Sequence, residues 1–137
     1  MGKKKIVIDT NVIISALGWE GKPREIFRGV LNGEFELIIS KKQIEELKRV
    51  MDYPKFLFTE DQKFRLLEIL IGIAKIVETS DKLKIIKEDP DDDIILESAV
   101  DNGVEFIISG DEHLLKLKEY MDVKIITPAR FLEIAKS

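Results

Sequence analysis

Five short apolar runs most constrain the fold: "KIVI" at 5–8, "FELII" at 35–39, "KIVET" at 75–79, "EFIIS" at 105–109 and "VKII" at 123–126. Brief, nearly continuous apolar runs read as strands covered on both faces. Between them the apolar spacing switches to a helical period. Helices are expected over "TNVIISAL", from Pro23 to about Asn32, over 41–51, over 60–74, from Pro90 to Asn102, over "DEHLLKL", and after Thr127-Pro128. Ser40 with Gln43, and Thr59 with Gln62, have the spacing of reciprocal capping boxes. "LKII" at 83–86 could add a short extended piece. Strands alternating with helices imply βαβ units, hence a parallel sheet between two helical layers. The chain has 137 residues, 45% of them hydrophobic, with no repeat or linker. A single domain over 1–137 is therefore expected, built as a three-layer α/β/α sandwich.

Charge and residue usage remove several function classes. There is no cysteine, so disulfides and thiolate metal sites are excluded. Net charge is −4, so no general basic field attracts nucleic acid. The opening "MGKKKIVIDTNVII" has a basic lead, but Asp9 and Asn11 interrupt the apolar segment that a signal peptide needs. No run is long enough to span a bilayer, so a cytoplasmic protein without a membrane partner is expected. Abundant Lys and Glu, with only three Asn and two Gln, fit a heat-adapted (thermophilic) protein.

The acids carry the chemical information. In doubly wound sheets, ligands bind beyond the carboxyl ends of the strands. Asp9 directly follows the first run, and Asp111 follows the fourth through Ser109 and Gly110. Either acid alone could equally be a helix N-cap. "EDPDDD" at 88–93 crowds five carboxylates into six positions. Most of them complement a helix N-terminus. Asp92, however, lies three residues before Ile95 and seven before Ala99, on the inward face of its helix. An inward carboxylate needs a partner, and a cation would supply one. By the same reasoning Glu46 falls at the margin of the core face set by Ile44, Leu47, Val50 and Met51, whereas Glu45 lies nearly opposite. A one-residue slip would transfer these assignments to Asp91 or Asp93, and to Glu45. Asp9, Glu46, Asp92 and Asp111 thus form a candidate oxygen-only site for a hard cation such as Mg²⁺ or Mn²⁺.

The stretches "IVIDTNVIISAL", "IISKKQIEELKRV", "DPDDDIILESAV" and "FIISGDEHLL", in this order, resemble the PIN domain family. The nearest likeness is to the subgroup of toxin components of toxin–antitoxin pairs. The resemblance covers nearly the whole chain. It implies a five-stranded parallel sheet of order 3-2-1-4-5 and a metal-dependent ribonuclease. Asp9, Glu46, Asp92 and Asp111 would be its catalytic and metal-binding acids, holding one or two Mg²⁺ or Mn²⁺ ions. Thr10, Asn11 and Ser109 match polar positions that support the site. RNA is the implied substrate and an antitoxin protein the implied partner.

Lys22, Arg24, Arg49 and Lys55 are candidate phosphate contacts, each of which could equally be an ordinary solvated base. His113, the only histidine, follows Asp111 closely but reads more simply as structural. Trp19 in "GWEGKP" could stack on a base or pack in its loop. Helix 60–74 is apolar around more than half its circumference, which calls for a second packed surface. That surface could be a homodimer, an antitoxin contact or two-sided burial within the monomer. Two rival functions are a catalytically inert module that binds RNA or protein, and phosphoryl transfer through an aspartyl phosphate at Asp9. For the latter, Asn11 stands where a dehalogenase-like pattern has an acid.

Overall fold

The computed structural model describes residues 3–79 and 90–136, with the backbone only of 90–92. Its elements are β1 (Lys4–Ile8), α1 (Thr10–Gly18), α2 (Lys22–Leu31), β2 (Phe35–Ser40), α3 (Lys41–Met51), a 3-10 turn (Pro54–Phe56), α4 (Glu60–Ile73), β3 (Lys75–Val77), α5 (Pro90–Asp101), β4 (Phe106–Ile108), α6 (Glu112–Leu115), β5 (Glu119–Tyr120), β6 (Val123–Ile126) and α7 (Pro128–Lys136). The expected piece at 83–86 lies outside the described residues.

The strands form one sheet of order β3-β2-β1-β4-β6-β5. The first five in that order are mutually parallel, which reproduces the expected topology. The sixth strand is a correction to the expected five. Glu119–Tyr120 folds back antiparallel onto Val123–Lys124. The turn places Met121 at φ 47° and Asp122 at φ 68°. Two-residue hairpins need such positive φ values and usually announce them with Asn or Gly. Met-Asp gives no such signal.

Alternation along the strands divides the core in two. Ile6, Ile8, Leu37, Ile39, Phe106 and Ile108 face one helical layer, packing with α1, α2, α3, α7 and Leu70 of α4. Val7, Ile38, Ile107 and Ile125 face the other, packing with Ile95, Leu96 and Ala99 of α5 and Leu114 of α6. Both faces of β2, β1, β4 and β6 are thus covered, as the apolar runs require, whereas the edge strand β3 departs from that expectation and leaves Ile76 exposed. On the first face α2 approaches β2 closely. A Cβ on Gly29 would run into the Phe35 ring, which would have to shift to admit it.

α4 departs from this full coverage. Only Leu70 is fully buried, while Phe64, Ile69 and Ile71 are exposed. Two-sided burial within the monomer is thereby removed as the reason for its apolar excess. At the nearby loops, Trp19 packs against Phe56 and Phe58, with ring centroids 6.1 Å away in each case. Trp19 nevertheless remains half exposed.

Candidate active site at the β1/β4 switch point

In this strand order the connections leaving β1 and β4 diverge, and the crevice between their carboxyl ends is where ligands bind. Asp9 and Asp111 flank that crevice. Asp9 is the N-cap residue of α1, with ψ at 146°, yet its side chain makes no capping hydrogen bond. Its Oδ2 instead accepts from the Ser109 hydroxyl at 2.8 Å. Ser109 Oγ in turn accepts from the Asp111 N–H at 2.9 Å. Both Asp9 and Ser109 are buried. Across the crevice, the Asp9 N–H donates to Ile108 O at 2.9 Å. A fully buried serine thus ties the two strand-end acids into one unit.

Asp111 behaves differently. Its Oδ1 accepts from the His113 N–H at 2.8 Å and caps α6. It is half-buried. His113 therefore takes part here through its backbone.

Burial pushes the Asp9 carboxyl above the ordinary carboxylate range. The Ser109 hydroxyl counteracts this, and the negative charge of Asp111 adds to it. The N–H groups of Thr10 and Asn11 lie close enough to favour the charged form in part. A desolvated carboxylate beside a second acid is the environment that a bound cation relieves.

The remaining expected residues are placed as follows. Glu45 is exposed and pairs with Lys48 at 3.5 Å. Glu46 is half-buried, and its Oε2 is among the buried side-chain oxygens. Asp92 lies in the first turn of α5, which packs against β1, β2, β4 and α3. Its side chain and that of Asp91 lie outside the described residues. Asp93 is half-buried. Thr10 is buried and Asn11 is exposed, both in the first turn of α1.

Three of the four candidate RNA-contacting bases lie near the ends of α1 and α3 that are remote from the sheet. Arg24 closes the far end of α1, donating to Ala16 O at 2.9 Å and Leu17 O at 2.8 Å, and to Glu20 at 3.1 Å. Lys22 is exposed beside it. Lys55 lies beyond the far end of α3, its Nζ 5.1 Å from the Phe56 ring centroid. At about 1.5 Å per residue, α1 and α3 are roughly 13–16 Å long. Arg49, one turn after Glu46, is the exception in position; it is exposed.

Two polar residues are buried without a sequence signal for it. Gln43 and Glu97 are 0% and 2% exposed. Glu97 falls within an unbroken buried stretch from Ile95 to Ala99, which a single-face reading of α5 does not anticipate.

A model of the PIN domain family matches residues 5–113. The chain belongs to the PIN domain family. This match takes in Asp9, Glu46, Asp92 and Asp111 alike. Among solved structures, this PIN domain is similar to VapBC2 from Rickettsia felis bound to a DNA fragment from their promoter. The TM-score is 0.60 at 14% identity, covering 88% of this chain and 96% of that one. It is also similar to PAE2754 from Pyrobaculum aerophilum, with a TM-score of 0.59 at 13% identity, covering 98% and 97%. At such identities the likeness concerns the fold. No curated protein matches the sequence.

The donor set fits a hard divalent cation, being oxygen-only and centred on a buried carboxylate. Among the described residues, no three His, Asp or Glu side chains form a group that could hold a metal ion. No helix among the described residues is long and apolar enough to cross a membrane.

Proposed function

We propose that this PIN domain is a divalent-metal-dependent endoribonuclease and the toxin component of a toxin–antitoxin pair. The observation that carries the reading is the Asp9–Ser109–Asp111 chain at the switch point, in a molecule whose sequence matches the PIN family over the stretches bearing all four acids. Asp9, Asp92 and Asp111 would hold Mg²⁺ or Mn²⁺, one ion or two, with Glu46 as a further ligand or as the orienter of a water. When bound, the cation supplies Lewis acidity toward a phosphodiester and lowers the pKa of its water.

The chain's own residues prepare that site. Ser109 fixes Oδ2 of Asp9. Burial of Asp9 keeps bulk water from screening its charge. Thr10 and Asn11 begin α1, whose N-terminal end favours anions at the crevice. Hydrolysis of the phosphodiester would add one water across the P–O bond, giving a 5′ phosphate and a 3′ hydroxyl.

The exposed apolar surface supports a protein partner. Leu17, Phe27, Leu31, Leu66 and Ile69 line a groove between α1, α2 and α4, with Arg24, Arg28 and Arg65 at its edges. Such a groove suits an amphipathic antitoxin segment carrying acidic residues. A homodimer through α4 is the competing occupant, and sedimentation of the purified chain alone distinguishes the two.

The deciding experiment is RNA cleavage with Mn²⁺ or Mg²⁺, with and without chelator, by the unmodified chain and by Asp9→Asn, Asp92→Asn and Asp93→Asn. Cleavage should require metal, be abolished in the first two variants and persist in the third. Loss in Asp93→Asn with activity in Asp92→Asn would shift the register of α5 by one residue. Metal-independent cleavage, or full activity in Asp9→Asn, would reject the nuclease assignment. No cleavage by the unmodified chain, together with RNA or protein binding, would favour an inert module.

A further inference from the structure

Gln43 departs from the local rule that its own sequence sets. Ser40-x-x-Gln43 and Thr59-x-x-Gln62 are the same motif, yet only the second closes into a reciprocal box. There the Thr59 N–H donates to Gln62 Oε1 at 2.8 Å, and the Gln62 N–H donates to Thr59 Oγ1 at 3.1 Å. At α3 the first half forms, with the Gln43 N–H donating to Ser40 Oγ at 3.0 Å. The side chain then turns away from its helix. Its Nε2 donates to Ile8 O, 35 residues distant in sequence, at 2.6 Å, and lies 3.5 Å from Thr10 Oγ1. The residue is fully buried, and its Oε1 has no hydrogen-bond partner among the described residues.

This arrangement costs stability, because a buried acceptor is left without a donor. A leucine at 43 would fill a similar volume and remove that acceptor, at the expense of the donor to Ile8 O. A local motif broken in favour of a distant contact, at a thermodynamic cost, is characteristic of a functional position. The contact falls on the peptide unit that joins Ile8 to Asp9. The two polar groups of a trans peptide point in opposite directions. On one side the Asp9 N–H is held by Ile108 O of β4, and on the other the Ile8 carbonyl is held by Gln43 of α3. The plane that aims the Asp9 side chain is therefore clamped from both neighbours.

We propose that Gln43 is a positioning residue for the acidic site: its buried amide fixes the Ile8–Asp9 peptide and the adjoining Thr10 hydroxyl, and so holds the Asp9 carboxylate in its metal-binding orientation. The proposal deepens the metallonuclease reading and depends on it for its kinetic arm. It treats Gln43 as acting through Asp9, without touching substrate or ion.

The test compares the full-length chain with Gln43→Leu and, should that variant fold poorly, Gln43→Met, which keeps length and flexibility. Gln62→Leu serves as a control that breaks a capping box away from the site. Three quantities are measured: metal-free melting, Mn²⁺ affinity by titration followed with electron paramagnetic resonance, and kcat and KM for RNA cleavage. Removing an outer partner of a metal ligand typically costs about 10–100-fold in affinity or rate. Gln43→Leu should lose roughly tenfold or more in Mn²⁺ affinity and in kcat. KM for RNA and the melting temperature should stay near those of the unmodified chain. Gln62→Leu should lower melting and leave both site readouts unchanged. Unchanged Mn²⁺ affinity and kcat in Gln43→Leu would overturn the proposal, as would losses that merely track a lower melting temperature.

If the unmodified chain neither binds Mn²⁺ nor cleaves RNA, the nuclease reading fails separately. Site-resolved amide exchange then decides the clamp. The Asp9 N–H should lose protection selectively in Gln43→Leu, while the Ser109 N–H, which donates to Ile126 O at 2.9 Å, keeps its own. Equal protection of Asp9 in both proteins would sink it.

Discussion

Ser109→Ala is the sharpest perturbation of the acid pair, because one hydroxyl serves both acids. The substitution removes an O–H···O⁻ bond of 2.8 Å to buried Asp9 and the acceptor of the Asp111 N–H at 2.9 Å. A hydrogen bond to a charged group contributes about 1.5–3 kcal/mol, and an orphaned buried donor costs about 1–3 kcal/mol. Asp111 is only half-buried, so water recovers much of the second term. The expected loss is about 2–4 kcal/mol by urea denaturation of the metal-free chain. With about 2.1 cal/mol/K of unfolding entropy per residue, that corresponds to roughly 7–14 °C in melting temperature. In the Asp9→Asn background the bond becomes neutral, and the cost of Ser109→Ala should fall by about 1 kcal/mol or more. Acid should have the same effect, since Asp9 becomes protonated as the pH falls through its raised pKa. A loss below about 0.5 kcal/mol, or one identical in both backgrounds, would refute the charge-assisted bond as the link between the acids.

Three further outcomes follow from the same contacts. Because the native pKa of Asp9 lies above its unfolded value, this group's contribution to stability is most favourable at acid pH and declines as pH rises through the native pKa. Metal-free Asp9→Asn should therefore melt no lower than the unmodified chain at neutral pH, with its relative advantage vanishing in acid; an advantage that grows in acid would contradict the burial argument. Leu70→Ala should destabilise the monomer by about 2–5 kcal/mol. Ile71→Ala, on the exposed side of α4, should cost the monomer less than about 1 kcal/mol while weakening capture of a partner; equal monomer losses would refute the open face. Thr59→Ala should cost about 1 kcal/mol through its capping box, read by thermal melting; no loss would make the box idle.

The sheet order was legible because each core strand is an apolar run and each crossover a periodic helix. β5 was not, because Met121-Asp122 adopts positive φ without the residues that advertise it. The separation of Glu45 from Glu46 follows from helical angle alone, as Glu45 faces solvent and Lys48. The local sequence marks Gln43 as a cap residue, which is half of what it does. Its other half reaches across 35 residues, and no local window contains that information. Glu97 was invisible for a related reason. A one-face reading assumes that a helix has a solvent side, and the middle of α5 has none.

Asp9 and Asp111 make the same point about function. Both follow a strand and precede a helix, so local rules treat them alike. Asp111 obeys those rules, capping α6 and staying half-exposed. Asp9 does not cap, although it occupies the N-cap position. Its N–H is taken by Ile108 and its Oδ2 by Ser109, while the carbonyl just before it is taken by Gln43. Two of those partners come from the end of β4 and the third from α3, and none could be supplied by the turn itself. The Thr10 and Asn11 N–H groups compensate Asp9 only in part, and the fold buries it beside a second acid. A carboxylate held in that condition costs stability in the metal-free chain and recovers it only from a cation or a proton. On the proposed function, that is the physical sense in which the crevice would be prepared for a metal ion, and it would place the specificity of the site in the packing of β4 and α3 against β1 rather than in any short motif.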